Sequence, residues 1–462
     1  MTFIPDTAAW PSMTATEITQ SLLGKTFVCP SCGRTHGVRT QVLETRVGVA
    51  AGMADTLRSL DFAGRPLVVF DRNTWSACGE KLMEGLSSFD PVPFVFQRDD
   101  LHADEHALGS ALAAMAFGPT FLVSAGSGTL TDITRYTALR TGLPFAAYAT
   151  AASVDGFASS MTPLIIGGFK RTFPGKAPLA IFADPEVLAA APRRMTAAGF
   201  GDVLAKTTAL VDWRIAHEAL DEDYCPLIAA LVDKAVQECI ALAGSLARQE
   251  PAAAGVLCDV LALTGIAMQL MGNSRPASGG DHHVSHLLEM RDIQAHRTGS
   301  LHGDKVGIGT LIGMTLYLRM FGDGGLPAQR PTMSARVWES EVRRVYGPLA
   351  DAAIAGNPSE PPTGAVWEEQ KRRIGLAMEN FGYDTVRGFR SLVPAAVRMI
   401  TDMGGPVRPS QLGYSVQEAT DAIAFGKEVN PKFTMLRMAE RFGWLYDLAG
   451  EIASGLAEGG IY

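Results

Sequence analysis

The sequence predicts an α/β domain followed by an all-α domain. Three observations predict it. Short apolar runs alternate with helical stretches from Val47 to Asp184. Long Ala/Leu-rich helical stretches follow from Glu186 onward. The chain has 462 residues, too many for one ordinary core.

The first 45 residues read as an appendage carrying a β-ribbon, and 46–185 and 186–462 as the two main domains. In the appendage, Cys29-Pro-Ser-Cys32 with His36 has the spacing of half a zinc site, since CxxC lets two thiolates meet one metal. No matching pair stands nearby, so the segment reads as a Gly/Pro turn in the ribbon. Cys78, Cys225, Cys239 and Cys258 stand alone in sequence and read as buried packing residues.

In the α/β domain, Arg65–Phe70 is an apolar run ending in Asp71, the pattern of a buried strand. Val92–Phe96, Phe121–Ser124, Pro144–Tyr148 and Ala180–Ala183 are further strands, and His106–Phe117 and Asp132–Thr141 are helices. The all-α domain offers helices at Pro185–Ala191, Asp202–His217, Pro226–Leu246, Ala252–Gly272, Val284–Ala295 and Lys305–Met320, with more between Ser334 and Leu448. Gly356–Gly364 is Pro-rich and reads as a loop.

Forty Lys+Arg against 48 Asp+Glu leave a formal charge of −8, which argues against nucleic-acid or anionic-membrane binding. Six cysteines cannot staple a chain of this length, and the N-terminus has neither the basic nor the apolar region of a signal peptide. The most apolar stretch, Ala252–Met271, holds Asp259 and Gln269 and reads as a core helix rather than a membrane span. A cytoplasmic protein with reduced thiols is expected.

Two features carry chemistry. Gly126-Ser127-Gly128-Thr129 follows a strand and opens a helix, where small residues and exposed N–H groups suit a pyrophosphate. It is neither a Walker A loop nor a full GxGxxG. Asp71, just after its strand, is either a ribose-binding carboxylate or an ordinary turn residue. The second feature is a histidine cluster. Five of the nine histidines lie between His282 and His302. His282, His286 and Glu289 share one helix face, His302 opens the next helix, and Ser278-Gly-Gly280 clears space before them. Imidazole and carboxylate donors suit a divalent metal. Asp202, after Gly199-Phe-Gly201, reads as a helix N-cap or as the anionic ligand of that metal. Three protein donors would leave one position open for chemistry.

These motifs, with Thr150-Ala-Ala-Ser153-Val-Asp155-Gly-Phe-Ala-Ser159, Gly168-Phe-Lys-Arg-Thr172 and His302-Gly-Asp-Lys305, resemble the bacterial branch of the sn-glycerol-1-phosphate dehydrogenases. That group is related to the iron-type alcohol dehydrogenases, glycerol dehydrogenases and dehydroquinate synthases. The resemblance implies a Rossmann-like α/β domain, a helical domain and an active site in the cleft between them, the dehydroquinate synthase-like fold. It assigns Gly126, Ser127, Gly128, Thr129 and Asp132 to the cofactor, Thr150, Ser153 and Ser159 to its nicotinamide half, and Asp71 to a preference for NAD over NADP. It assigns Asp202, His282 and His302 to the metal, zinc or nickel, and Asp155 and His286 to substrate. The implied reaction is reversible NAD(P)-linked reduction of dihydroxyacetone phosphate to sn-glycerol 1-phosphate, a step of phospholipid metabolism, in a homodimer. Lys170, Arg171, Lys206 and Lys305 compete as phosphate ligands or are surface salt-bridge partners. The alternatives are a dehydrogenase of glycerol or another polyol phosphate, and a dehydroquinate synthase-type lyase, whose family uses Glu where this chain has Asp202. A third reading is non-enzymatic, with the CxxC segment as an interaction module.

Overall fold

The computed structural model describes residues 5, 9–297, 300–358 and 361–459. The N-terminal stretch read for a signal peptide, Pro5 excepted, and two positions of the Pro-rich loop at 356–364 lie outside these residues. Among the described residues the strands are β1 (Thr26–Val28), β2 (Thr35–Gly37), β3 (Val42–Thr45), β4 (Pro66–Asp71), β5 (Val92–Phe96), β6 (Phe121–Gly126), β7 (Phe145–Ala149), β8 (Met161–Ile166), β9 (Phe169–Pro174) and β10 (Ala180–Ala183). β1 and β2 form an antiparallel ribbon, and β8 and β9 a hairpin. The other six make one parallel sheet in the order β3-β10-β7-β6-β4-β5.

The central strands are apolar throughout because both faces of the sheet are covered. Val68, Phe70, Phe121 and Val123 join one core cluster, whereas Leu67, Val69 and Leu122 join another. Successive side chains alternate between the two faces, so an uninterrupted apolar run is the signature of a strand buried on both sides. β4 is followed in sequence by its neighbour β5 at the sheet edge, and β6 then pairs on the other side of β4. The strand order therefore reverses between β4 and β6. A crevice at the carboxyl ends of such a pair is where open α/β sheets bind ligands.

The chain forms two compact units: residues 1–203 with 225–276, and residues 204–224 with 277–462. These divisions fall elsewhere than 45/46 and 185/186. The first unit holds the sheet, and β3, inside the expected appendage, is one of its edge strands. It also holds the long helix Pro251–Met271, which packs on helix Ala15–Leu22 and on β3. This helix is long and apolar enough to cross a membrane, yet 83% of its apolar window is buried inside the protein. Asp259 within it accepts hydrogen bonds from Thr16 Oγ1 at 2.7 Å and Thr45 Oγ1 at 2.5 Å, so the charge is met by the core. The second unit is helical.

Two expectations are corrected. Asp202 is not an N-cap: the helix begins earlier, at Arg193, and runs to Leu204 before Lys206–Leu220 continues. Gly199 lies inside that helix because a Cβ there would stand 2.0 Å from Ala152 O. The glycine serves close packing rather than a turn. Cys225 is not isolated, since its sulfur lies 3.6 Å from that of Cys29.

Candidate active site

In the first unit, the chain after β6 turns directly into helix Gly128–Thr141, with Ser127 at its N-cap. The Ser127 hydroxyl bonds that of Ser153, and Thr150 N–H donates to Gly126 O at 3.3 Å. A Cβ on Gly128 would meet Val154 Cγ2 at 3.1 Å. The segments 126–128 and 150–154 are thus laid side by side where a 14-residue helix begins, and the first N–H groups of such a helix carry its partial positive charge. Thr129 occupies the first turn of that helix. Asp71 ends β4, next to β6 in the sheet, and accepts Thr74 N–H at 2.8 Å, so it caps the short turn that follows. Asp71 is thus a turn cap, and it stands beside the reversal of strand order.

Asp132 pairs with Arg135 Nη1 at 2.6 Å. Burial pushes the Asp132 carboxyl up to about 7, with Arg135 and Lys170 opposing. Arg135 was not singled out in the sequence. Its side chain is fully buried and donates to Met161 O and Phe157 O, each at 3.2 Å, and to Gly156 O. It thereby holds the loop that carries Asp155. The Asp155 N–H donates to Asp202 Oδ2 at 2.9 Å, which brings these two residues together. The hydroxyl of Ser159 bonds within its own turn, accepting Met161 N–H at 2.9 Å. Arg171 stacks over Phe169 at 4.8 Å on the β8–β9 hairpin, and Lys170 lies near enough to Asp132 to act on it.

In the second unit, helix Gly280–Gln294 carries His282, His286 and Glu289, and His302 begins helix His302–Phe321. Glycines let the elements close: a Cβ on Gly309 would meet Asp281 O at 2.4 Å, and one on Gly280 would meet Met435 Sδ at 2.2 Å. Asp212 ties down the start of the first helix, accepting from Gly280 N–H at 2.8 Å, Tyr317 Oη at 2.6 Å and Met435 N–H at 2.7 Å. The three imidazoles form a triangle. Ring centroids are 5.4 Å apart for His282–His302, 5.9 Å for His282–His286 and 5.7 Å for His286–His302.

Two carboxylates orient these rings. His282 Nδ1 donates to Asp281 Oδ1 at 2.5 Å, and His302 Nδ1 to Glu289 Oε1 at 2.8 Å. Each bond selects the tautomer with its lone pair on Nε2, and a carboxylate on the far nitrogen is the usual support of a metal-binding histidine. Asp281 also accepts from Thr208 Oγ1 at 2.7 Å. Burial pushes the Asp281 carboxyl up, but His282, Thr208 and the Lys206 ammonium outweigh it and hold it below the ordinary value. It is therefore an anion at neutral pH. This donor chemistry fits a divalent cation. His286, Glu289 and His302 also offer donor atoms within 4.8 Å of one another, although the Glu289–His302 pair is already a hydrogen bond.

Asp281 and Glu289 stand close to the histidines in sequence, but only the fold shows that each supports a ring nitrogen. From the sequence, Lys305 is expected to bind phosphate or to be a salt-bridge partner at the surface. Instead Lys305 is buried and pairs with Asp292 Oδ2 at 3.0 Å, where Tyr414 Oη donates at 2.5 Å. Lys206 is buried too, beside Asp281.

Comparison with known proteins follows this geometry. Residues 44–192 match the iron-containing alcohol dehydrogenase family. The chain is similar to the NAD(P)+ glycerol-1-phosphate dehydrogenase of Bacillus licheniformis, 31% identical over 438 residues, covering 93% of this chain and 96% of that protein. The enzyme of the same name from Geobacillus stearothermophilus is 38% identical over 381 residues, 80% of this chain and 85% of its own. Maleylacetate reductase from Rhizobium sp. strain MTP-10005 shares the fold, with a TM-score of 0.58 at 16% identity over 92% of this chain and 98% of that one. The sheet with its glycine turn, the paired histidine helices and a full-length relative agree: the chain belongs to the NAD(P)+ glycerol-1-phosphate dehydrogenase family, within the iron-containing alcohol dehydrogenases.

Proposed function

We propose that the protein is a metal-dependent, NAD(P)-linked dehydrogenase that interconverts dihydroxyacetone phosphate and sn-glycerol 1-phosphate. The observation that carries the proposal is the pair of histidines, His282 and His302, each with a carboxylate on Nδ1. Asp202, His282 and His302 are the protein donors, and zinc or nickel suits that oxygen and nitrogen set. When bound, the cation supplies a Lewis acid for the charge that develops on the carbonyl oxygen, and NAD(P)H supplies the hydride.

The remaining work falls to this chain's side chains. Gly126, Ser127, Gly128 and Thr129 receive the pyrophosphate, Asp71 a ribose hydroxyl, which favours NAD, and Thr150 and Ser153 the nicotinamide half. Asp132 supports this turn by holding Arg135. Asp155 binds a substrate hydroxyl, and its backbone N–H keeps Asp202 in place. His286 carries the proton exchanged at the substrate oxygen. With Lys305 paired to Asp292 and Lys206 buried, Lys170 and Arg171 are the better phosphate candidates. The six cysteines, none bridged, suit a reducing compartment such as the cytoplasm.

The test is oxidation of NADH by the purified protein with dihydroxyacetone phosphate, repeated with unphosphorylated dihydroxyacetone. Equal rates would remove the phosphate specificity, and no oxidation with either ketone would remove the dehydrogenase.

A further inference from the structure

The ribbon carries a second cluster of metal-binding side chains, all within the first unit. Cys29, Cys32, His36 and Cys225 offer three sulfurs and one nitrogen, all within 4.8 Å of one another. We propose that these four residues bind a structural Zn2+ ion, separate from the active-site metal.

The distances are close to those the ion requires. A tetrahedral zinc with bonds of about 2.3 Å to sulfur and about 2.0 Å to nitrogen puts its ligand atoms roughly 3.5–3.8 Å apart. Cys29 Sγ and Cys225 Sγ are 3.6 Å apart, and Cys32 Sγ and His36 Nε2 are 3.3 Å apart. His36 Nδ1 bonds Leu270 O at 2.7 Å, which places its lone pair on Nε2, the nitrogen beside Cys32.

The backbone is built for thiolates. Gly33 N–H donates to Cys29 O at 2.9 Å, and Gly33 takes φ +71°, a left-handed turn that glycine adopts without strain. That turn directs the backbone N–H groups of Ser31 and Cys32 at the Cys29 sulfur. The Arg34 guanidinium lies close enough to act on His36. A cation there offsets the net negative charge of three thiolates around one divalent ion.

Packing alone accounts for this cluster poorly. Cys29, Cys225 and His36 are buried, and on its Nε2 side the imidazole faces thiols, which give only weak hydrogen bonds for the water lost. Four protein donors close the coordination sphere, the arrangement of a structural site. The bound ion would tie the β1–β2 ribbon to Cys225, which caps helix Pro226–Ala241 and lies 196 residues away in the chain.

The proposal needs no turnover to test. Full-length protein carrying His282→Ala, purified from zinc-supplemented cells without chelator, should retain about one zinc per chain, and adding Cys32→Ser should abolish it. Cobalt loaded into the otherwise wild-type protein should give near-ultraviolet thiolate-to-metal charge transfer, which an all N/O site cannot produce. Should Cys32→Ser fail to fold, His36→Cys keeps four donors and should retain the zinc. No zinc in the His282→Ala protein, a cobalt spectrum without thiolate bands, or a Cys29–Cys225 disulfide in the native protein would each overturn the proposal.

Discussion

Gly199→Ala tests how the helix bearing Asp202 is seated. The new Cβ would stand 2.0 Å from Ala152 O, 2.8 Å from Ala152 C and 3.2 Å from Ser153 Cα. Ordinary van der Waals contact begins at 3.4 Å, so helix and loop must separate by 3.4 − 2.0 = 1.4 Å. Both neighbours are backbone and cannot rotate away. Helix propensity alone favours alanine by about 1 kcal/mol, whereas overpacking costs about 1–3 kcal/mol, so the sign of the change discriminates between them. The displaced loop carries Ser153, which bonds Ser127, and Asp155, which bonds Asp202. A shift of about 1 Å in such groups lowers kcat/KM on the order of 100-fold. Urea unfolding and steady-state oxidation of NADH are the assays. A raised urea midpoint with unchanged kcat/KM would show that the close packing of Gly199 matters neither to stability nor to the site.

Three further outcomes follow from described contacts. Glu289→Gln removes the anion from His302 Nδ1 and should weaken the active-site metal about 10–100-fold in a chelator competition; unchanged affinity would remove the supporting role. Asp132, raised from 3.8 to about 7, takes up a proton on folding, so its contribution to stability is full below about 4 and is lost as pH rises to about 7. Asp132→Asn should flatten that part of the pH profile of the urea midpoint, and an unaltered slope would refute it. Lys427, fully buried, bridges Glu440 Oε1 at 2.7 Å and the buried Glu428. Lys427→Met should cost about 3–5 kcal/mol in urea unfolding, with part recovered on adding Glu428→Gln; a cost below about 1 kcal/mol would show the pair to be solvated.

What could be read from the sequence follows from how far each signal reaches along the chain. β4, β7 and β10 were legible because a buried strand writes its burial into consecutive residues. β3 was not: it is four residues long, lies at the sheet edge, and only Leu43 in it is fully buried. The glycine turn and the His282/His286 spacing are local and survive in the sequence. Cys225 is 196 residues from Cys29, and no local pattern marks that pairing. Asp132 and Arg135 have the i,i+3 spacing of a surface ion pair, and only the fold shows that the guanidinium is buried and grips a loop. Asp202 followed two glycines and looked like a helix start, because glycines kept for close packing have the same letter as glycines kept for a turn.

The first unit leaves the chain at 203 and resumes at 225. That discontinuity bears on how the protein is made. Helix Ala15–Leu22 rests on helix Pro251–Met271, so in synthesis it waits for some 230 further residues before its partner exists. A unit whose longest helix arrives so late is slow to close and exposes apolar surface in the meantime. A fragment cut at residue 203 would carry all six strands of the parallel sheet yet lack the helix on which Ala15–Leu22 and β3 rest.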